Sequence, residues 1–322
     1  MVTIERVIRW LGWAPEHRGR LAALSREGRP LRLPEHDELR SFLERLDVPA
    51  RHHEEIVEAA PGPGTDPEAW WLLDRLHHQL TARDGLGVAP PWPAPGPSED
   101  ALTRYFHLYV FLSAVPHVLG INRARGIQDD VTWDTLRDVG LQVAHYESRH
   151  GRGGFDGAFW LWPHFRGAIF LLGRLQFDLR TIEFDPGEAG FVRGDRAAGV
   201  HIPALGPLEP AACDASFRRA RRFFARHFPS SPVGVATCSS WLLDDQLTDY
   251  LPADANILRF QRRFALVAGW ERPGDEDVLR FVFGFVPGAL DELPQRTTLE
   301  RAVVGHLRDG GHWRIRVGWL EL

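Results

Sequence analysis

The chain has 322 residues, of which 44% are hydrophobic, so it can bury a sizeable core as one large domain or two of ordinary size. Its 38 basic and 43 acidic residues give a formal net charge of −5, which argues against a protein that grips nucleic acid or an anionic membrane through bulk electrostatics. Because the sequence contains no Lys, it also excludes Schiff-base catalysis, a P-loop lysine and the kinase strand lysine.

The first part of the chain has the apolar spacing of amphipathic helices. Four helices are predicted at IERVIRWLG, EHDELRSFLERLDV, RHHEEIVEAA and DPEAWWLLDRLHHQL. Prolines 34, 49, 61 and 67 fall where these helices should start or stop. A helical bundle is therefore expected.

A proline-rich segment follows the predicted bundle. VAPPWPAPGPSED, from Val88 to Asp100, cannot be helical and predicts an extended connector. Two more helices are predicted after it, at EDALTRYFHLYVFLSAVPHVLG and DDVTWDTLRDVGLQVAHYESRH. The second should be N-capped by Asp129 or Asp130.

The period of the pattern changes near Gly167. In GRLQFDLR, apolar residues alternate with Arg174, Gln176, Asp178 and Arg180, which is typical of a half-buried strand. Strands are also predicted at TIEF and GVHIP. Further on, LRFQRRFALVAGW and DVLRFVFG alternate in the same way and predict a β-hairpin turned by ERPGDE.

The end of the chain predicts a helix and a last strand. TTLERAVVGHLRDGG predicts a helix, because it carries a capping box, Thr297 with Glu300, and is ended by two glycines. In WRIRVGWL every second residue is apolar, which predicts a strand. The order predicts an α+β fold, with a helical N-terminal domain over residues 1–164. A mixed α/β domain with a central, mostly antiparallel sheet should follow over residues 165–322.

The stretch from Gly199 to Leu243 is the predicted ligand site. It consists of a strand at GVHIP, the loop ALGPLEP, a helix at AACDASFRRARRFFARHF, and a strand at VGVATCSSWLL that ends in polar residues. Ligands of such sheets lie beyond the carboxyl ends of the strands. A cleft between His201 and Cys238 is therefore expected.

This unit resembles the pyrophosphate-binding core of the GNAT acyltransferases, in which two parallel strands splay apart around acyl-CoA. More narrowly, HIPALGPLEPAACDASFRRARRFF, SSWLLDDQL, YLPADANILRFQRRF and LPQRTTLERAVVGHLRDGGHW resemble a group of bacterial acyltransferases with a helical N-terminal domain and a GNAT-like C-terminal domain. The resemblance implies an acyl-CoA-dependent N-acyltransferase. Acyl-CoA or acetyl-CoA would be the donor and a small-molecule amine or a peptide the acceptor, with no metal.

The predicted catalytic residues are His201, Cys238 and Tyr250. His201 ends a strand, where a neutral imidazole can take a proton from an attacking amine, although a half-buried histidine bonded to a backbone group is the alternative. Cys238 would need a positioned base to act as a nucleophile, and the alternative is a buried inert thiol. Tyr250 resembles in position the tyrosine that protonates the departing thiolate, and otherwise packs a helix end.

The remaining site residues are predicted from the same resemblance. Donor binding is expected from Gly206, Leu208, Ala211, Ala212, Arg218 and Ser239. Acceptor binding is expected from Ser240, Trp241 and Asn256. Asp244 and Asp245 either orient the amine or cap a helix.

The loop ALGPLEP departs from the GNAT pattern of a glycine-rich pyrophosphate loop. It offers one glycine, Gly206, and its two prolines carry no N–H donor. Either the helix N-terminus holds the donor, or the chain is a catalytically inactive GNAT-like module that binds a small molecule or a protein. A serine or cysteine hydrolase is disfavoured, since no GxSxG surrounds Ser239 or Ser240.

Cysteine and histidine usage excludes several other sites. Cys213 and Cys238 are the only cysteines and form no CxxC pair, so neither a disulfide scaffold nor a cysteine zinc site is predicted. The histidine pairs at 52–53 and 77–78 lack HExxH spacing, so no metal site is predicted. The apolar stretches are interrupted by proline, histidine and arginine and no signal peptide is recognised, so we expect a cytoplasmic protein.

Overall fold

The structure is a computed structural model and describes residues 2–24, 31–82, 90–185 and 190–322. The chain forms two compact units, Met1–Phe170 and Leu171–Leu322. The predicted boundary, after residue 164, lies slightly earlier in the chain.

The first unit is helical and is built around one buried helix. Its helices are α1 (Ile4–Leu11), α2 (Arg18–Ala22), α3 (His36–Arg45), α4 (His53–Glu58), α5 (Pro67–Thr81), α6 (Ala101–Arg104), α7 (Phe106–Ala124), α8 (Asp129–Leu136), α9 (Asp138–His150) and α10 (Ala158–Leu161). Helix α7 is buried on all sides from Phe106 to Val115, as a helix in the middle of a bundle must be. Leu108, Phe111 and Val115 on α7 are fully buried in the helical core.

Polar contacts fix the neighbours of α7. Tyr109 donates its hydroxyl proton to the carbonyl oxygen of Ile56 at 2.8 Å. His77 on α5 lies 2.9 Å from the hydroxyl of Ser113 on α7. Burial is the main cause that lowers the pKa of His77 to about 4, with its neighbouring histidines adding to the effect. The imidazole is therefore neutral at physiological pH.

The proline-rich connector packs against these helices. Its first two predicted residues, 88 and 89, lie outside the described residues, and residues 90–97 form neither helix nor strand. The Trp92 indole N–H donates to Gln79 Oε1 at 2.9 Å, and its ring centroid lies 5.4 Å from that of Phe111. The Trp92 side chain thus anchors a connector that has no regular secondary structure in its described residues.

Both long helices predicted after the connector are divided. The first breaks at Tyr105 into α6 and α7, and the second breaks at Arg137 into α8 and α9. The predicted cap at Asp129 or Asp130 is wrong, because Gln128 precedes the helix and both aspartates occupy its first turn. A carboxylate there is favourable through the helix dipole without capping the helix.

The second unit is built on a mixed sheet. Its strands are β1 (Ile169–Leu171), β2 (Gln176–Thr181), β3 (Arg196–His201), β4 (Val235–Ser240), β5 (Ala265–Pro273) and β6 (Arg314–Glu321). Their order is β1-β2-β3-β4-β6-β5. Strands β3 and β4 are parallel, whereas β2–β3, β4–β6 and β5–β6 are antiparallel. The predicted α+β class with a mostly antiparallel central sheet is confirmed.

The α-helices among the described residues of this unit are α11 (Pro210–His227), α12 (Asn256–Gln261), α13 (Asp275–Phe283) and α14 (Thr298–Arg308). Helix α11 connects β3 to β4 and buries Phe217 and Phe224 at helical spacing. The Phe217 ring lies 5.8 Å from Phe177 of β2, which fixes α11 against one face of the sheet. The predicted capping box of Thr297 and Glu300 is confirmed at the start of α14.

Three strand predictions in this unit are wrong in whole or in part. The start of LRFQRRFALVAGW belongs to helix α12, which ends at Gln261, and strand β5 begins only at Ala265. TIEF is not a separate strand, since β2 already ends at Thr181. DVLRFVFG forms helix α13, so the predicted hairpin does not exist, and β5 pairs with β6 instead. Three acidic residues in the first turn of α13 and Gly284 at φ 83°, which caps its end, favour the helix over the strand.

Asp244 joins the end of β4 to the start of β6. Its carboxylate is fully buried and accepts from the Arg314 N–H at 2.7 Å and from the Arg314 guanidinium at 3.1 Å. It also accepts from the backbone and side chain of Gln246, at 3.2 and 3.0 Å. The buried charge is therefore matched on several sides, and Asp244 has a structural role.

We predict that Asp244→Asn destabilises the protein by about 2 to 3 kcal/mol, because it leaves the Arg314 guanidinium without its buried partner. The measurement is the free energy of unfolding from chemical denaturation. The matched control is Asp291→Asn, which breaks the exposed Asp291–Arg308 pair and should cost about 1 kcal/mol or less. Equal unfolding midpoints for the two variants would contradict the assignment.

Candidate functional site

His201 lies at the carboxyl end of β3, beside two charged residues of β2. In the antiparallel register Gln176 faces His201 and Asp178 faces Gly199, so Asp178 and His201 project from the same face. His201 Nε2 lies 2.8 Å from Asp178 Oδ2. Arg180 Nε donates to Asp178 Oδ1 at 2.7 Å, and its NH2 group lies 3.0 Å from His201 Nε2.

His201 Nε2 lies between a hydrogen-bond acceptor and a hydrogen-bond donor. A carboxylate only accepts and a guanidinium only donates, so Nε2 donates to Asp178 Oδ2 in one tautomer and accepts from the Arg180 guanidinium in the other. Asp178 Oδ2 also accepts from Arg180, which holds the carboxylate beside the imidazole.

Asp178 is ionised in this arrangement. Only 3% of its side chain is exposed, compared with 24% for His201. Burial by itself opposes ionisation, but the hydrogen bonds from His201 and Arg180 outweigh it and lower the pKa of Asp178 to about 2. A buried carboxylate therefore holds and orients a partly exposed histidine.

Gly199 provides the space for this cluster. A Cβ at position 199 would lie 1.8 Å from Arg180 Nε and 2.2 Å from Asp178 Oδ1. No side chain other than hydrogen can be placed there without displacing both charged groups. The glycine in GVHIP is thus a requirement of the site rather than of a turn.

Cys238 and Ser239, which are neighbours in β4, project from opposite faces of the sheet. Val200 pairs with Cys238 in the parallel register, so Cys238 projects away from the face that carries His201. Its side chain is buried, and burial raises the pKa of the thiol to about 12. We therefore assign Cys238 a packing role, whereas Ser239 is exposed on the His201 face.

The predicted donor-binding residues gather around the start of α11. Gly206 has φ +94°, which permits a sharp turn in the exposed loop before the helix. Pro210 occupies the first helical position, so α-helix geometry leaves the N–H groups of Ala211 and Ala212 without an intrahelical acceptor. Arg218 is exposed two turns further along, and Leu208 is buried beneath the loop.

The predicted acceptor-binding residues make structural contacts. Ser240 Oγ accepts from the Leu242 N–H at 3.1 Å, and Trp241 is buried against Phe281 with ring centroids 5.5 Å apart. The Asn256 amide donates to Glu209 Oε1 at 3.0 Å, which places it beside the start of α11. These side chains do not converge on one point.

Tyr250 belongs to a separate aromatic cluster. Its hydroxyl lies 2.9 Å from His306 Nδ1 on α14. The His306 ring in turn lies 4.4 Å from that of Trp313. This contact packs α14 against the segment that ends at Tyr250, and the role of Tyr250 as an acid stays a prediction.

Asp178 and Arg180 are the site residues that the sequence did not identify. The alternation in GRLQFDLR placed both on the polar face of a strand. What was missing was the register with GVHIP, which brings that face to His201.

The helical unit contains a cleft with a volume of about 510 Å³. The connector contributes Trp92 and several prolines to its lining, and α6, α7, α9 and the segment after α9 contribute the rest. Its aromatic and imidazole rings belong to Trp92, Phe106, His107, Tyr146, His150, Phe155, Phe159 and Trp162. Phe159 is 78% exposed, which is unusual for so large an apolar side chain.

Within the described residues, no helix combines the length and the apolar character that a membrane crossing requires.

Comparison with solved structures finds full-length relatives. An acyltransferase in complex with decanoyl-CoA and teicoplanin is 43% identical, with a TM-score of 0.90, and the match covers 100% of both chains. An acyltransferase in complex with CoA and 10C-teicoplanin is 42% identical, with a TM-score of 0.90 and the same coverage. An acyltransferase mutant in complex with octanoyl-CoA is 42% identical, again over 100% of both chains, with a TM-score of 0.88.

Family models describe the two parts of the chain. Residues 37–167 match an N-acyltransferase N-terminal domain, and residues 169–320 match a GNAT-like C-terminal domain. Among curated proteins, none matches this chain. The protein therefore belongs to the family of acyltransferases in which an N-acyltransferase N-terminal domain is followed by a GNAT-like C-terminal domain.

Proposed function

We propose that the protein transfers a medium-chain acyl group from acyl-CoA to an amine of a glycopeptide. Acyl-CoA-dependent N-acyl transfer is the activity of this enzyme, and relatives 42–43% identical over the full chain are acyltransferases in complex with octanoyl- or decanoyl-CoA. One of these is also in complex with teicoplanin, and a further relative is in complex with CoA and 10C-teicoplanin, which supports a glycopeptide acceptor. The observation that carries the proposal is the Asp178–His201 pair at the end of β3.

The start of α11 is the proposed site of the donor diphosphate. The N–H groups of Ala211 and Ala212 and the positive end of the helix dipole favour an anion there. The helix has 18 residues, so its dipole is fully developed at this end. The helix thus supplies the N–H donors that the two prolines of the loop ALGPLEP lack, and it compensates for the missing glycine-rich pattern.

The chemistry needs one proton acceptor and no covalent enzyme intermediate. The amine nitrogen attacks the thioester carbonyl carbon, the C–S bond breaks, and CoA leaves as a thiolate. The imidazole of His201 takes the proton of the attacking amine, while Asp178 stabilises the imidazolium that forms. The thiolate is then protonated by solvent or by a neighbouring acid, for which Tyr250 is the predicted candidate.

The aromatic cleft of the helical unit is the proposed binding site for the rings of the acceptor. A cleft of about 510 Å³ is within the range of small-molecule sites. Exposed and half-buried aromatic faces bind sugars and aromatic side groups through stacking. The exposed ring of Phe159 gives this cleft its largest unpartnered apolar surface among the described lining residues.

A cytoplasmic location stays a prediction from the sequence. A GNAT-like module that has lost catalysis and binds a small molecule or a partner protein, which is the sequence's other hypothesis, would release no CoA from acyl-CoA.

His201→Ala should lower kcat by about a hundredfold or more, because the attacking amine loses its proton acceptor. The assay follows CoA release from decanoyl-CoA and the mass of the acylated teicoplanin-type product. Cys238→Ser is the matched control, from the neighbouring strand but the opposite face, and should retain activity. Loss of activity in Cys238→Ser with retention in His201→Ala would reverse the assignment.

Asp178→Asn should reduce kcat by about tenfold or more and should also change the acid stability of the protein. The folded pKa of Asp178 is depressed to about 2, so its stabilisation is present above the unfolded pKa of about 4 and is lost as the pH falls towards 2. In unfolding titrations the wild type should lose about 2 kcal/mol more than the variant over this range. Parallel stability curves for both proteins would contradict the assignment.

Phe159→Ser should raise KM for the glycopeptide acceptor by about fivefold, because an aromatic contact is lost from the proposed cleft. Hydrolysis of decanoyl-CoA without acceptor should not change, since the donor is not bound there. The control is Val192→Ser, which removes a side chain that is 63% exposed in the other unit. Equal acceptor KM values for both variants would remove the cleft from acceptor binding.

A further inference from the structure

Arg174 clamps the loop that precedes α11. It lies in the turn between β1 and β2, and its guanidinium donates to three backbone carbonyls of that loop. The acceptors are Pro207 O for Nε at 3.0 Å, Pro203 O for NH1 at 3.0 Å, and Gly206 O for NH2 at 2.5 Å. A single side chain therefore fixes the path of residues 203–207.

The backbone of Arg174 is tied to α11 itself. Its N–H donates to Ser216 Oγ at 2.8 Å, and the Ser216 hydroxyl donates to Ala212 O at 3.0 Å. A Cβ at the preceding Gly173 would lie 2.8 Å from Ser216 Oγ, and Gly173 has φ +97°. The turn, the loop and the first turns of α11 thus form one hydrogen-bonded group.

The clamp determines where the amides of the loop point. In a trans peptide the C=O and the N–H of the same peptide group point in opposite directions. Because Pro203 O and Pro207 O are directed at Arg174, the N–H groups of Ala204 and Leu208 are directed away from it. The third clamped carbonyl, of Gly206, precedes Pro207, so its peptide has no N–H to direct.

The clamp also brings a positive charge to this end of α11. Within the described part of the chain no carboxylate forms an ion pair with Arg174, and its three side-chain partners are neutral carbonyls. Burial lowers the pKa of Arg174, but a guanidinium remains charged at neutral pH. A multiply charged anion beside α11 would therefore meet the positive guanidinium of Arg174, which forms no ion pair with an acidic side chain among the described residues.

We propose that Arg174 positions loop 203–207 for the diphosphate of the acyl-CoA donor, in place of a glycine-rich loop. The inference rests on the proposed function, since it assumes that the donor binds at α11. Arg174 acts by directing the Ala204 and Leu208 amides and by its charge, and it takes no part in the bond-forming step.

Calorimetric titration with CoA and dephospho-CoA, together with turnover of decanoyl-pantetheine, tests this role. CoA and dephospho-CoA both carry the diphosphate, whereas decanoyl-pantetheine carries no phosphate. Arg174→Gln should weaken CoA and dephospho-CoA equally, by about tenfold or more, because a charge-assisted contact is lost. Turnover of decanoyl-pantetheine, measured as kcat/KM, should change by less than about twofold.

Arg174→Lys should recover part of the CoA affinity, since it restores the charge but not the three-pronged geometry. Arg222→Gln is the matched control, because Arg222 is exposed on α11 and should leave the affinity for CoA unchanged. An unchanged affinity of Arg174→Gln for CoA would overturn the inference. Equal losses with CoA and decanoyl-pantetheine, or a loss with CoA but not with dephospho-CoA, would also overturn it.

Gly206→Ala tests the loop while leaving Arg174 itself in place, and decides the question if Arg174→Gln does not fold. A Cβ at Gly206 meets nothing within 4 Å, so the substitution strains only the backbone at φ +94°. It should likewise weaken CoA and spare decanoyl-pantetheine. A wild-type protein that binds no CoA would instead refute the proposed function, independently of Arg174.

Discussion

The register of β2 against β3 is the constraint on which the rest of the candidate site depends. It sets Asp178 beside His201 on one face and leaves Gly199 as the gap through which Arg180 reaches the carboxylate. A slip of one residue would transfer these charges to the face that packs on α11. The parallel pairing of β3 with β4 then determines that Ser239, and not Cys238, shares the face of His201.

Arginine side chains fix the geometry of three polar groups in this chain, which has no lysine. Arg174 holds three carbonyls of one loop, Arg180 holds the carboxylate that orients His201, and Arg314 holds the buried Asp244. Each uses several donors of a planar group at once, which a lysine ammonium on a flexible stem does less well. The same chemistry thus shapes the donor loop, the histidine and the start of β6.

Much of the fold follows from local patterns. Alternation in GRLQFDLR, the Gly199 to Leu243 unit and the capping box at Thr297 were sufficient to predict strands, helix and class. Local patterns failed where two periods compete in a short segment. DVLRFVFG alternates like a strand, yet an acidic first turn and Gly284 make it a helix, because end effects outweigh alternation over nine residues.

The sequence by itself determined the class of fold, the strand that ends in His201 and the helix that should meet an anion. These follow from periodicity and capping, which act between residues close in the chain. Only the tertiary structure decided the partners of His201, the burial of Cys238 and the clamp by Arg174. Each depends on register or on contacts between residues distant in sequence, and no local pattern encodes which strand lies beside which.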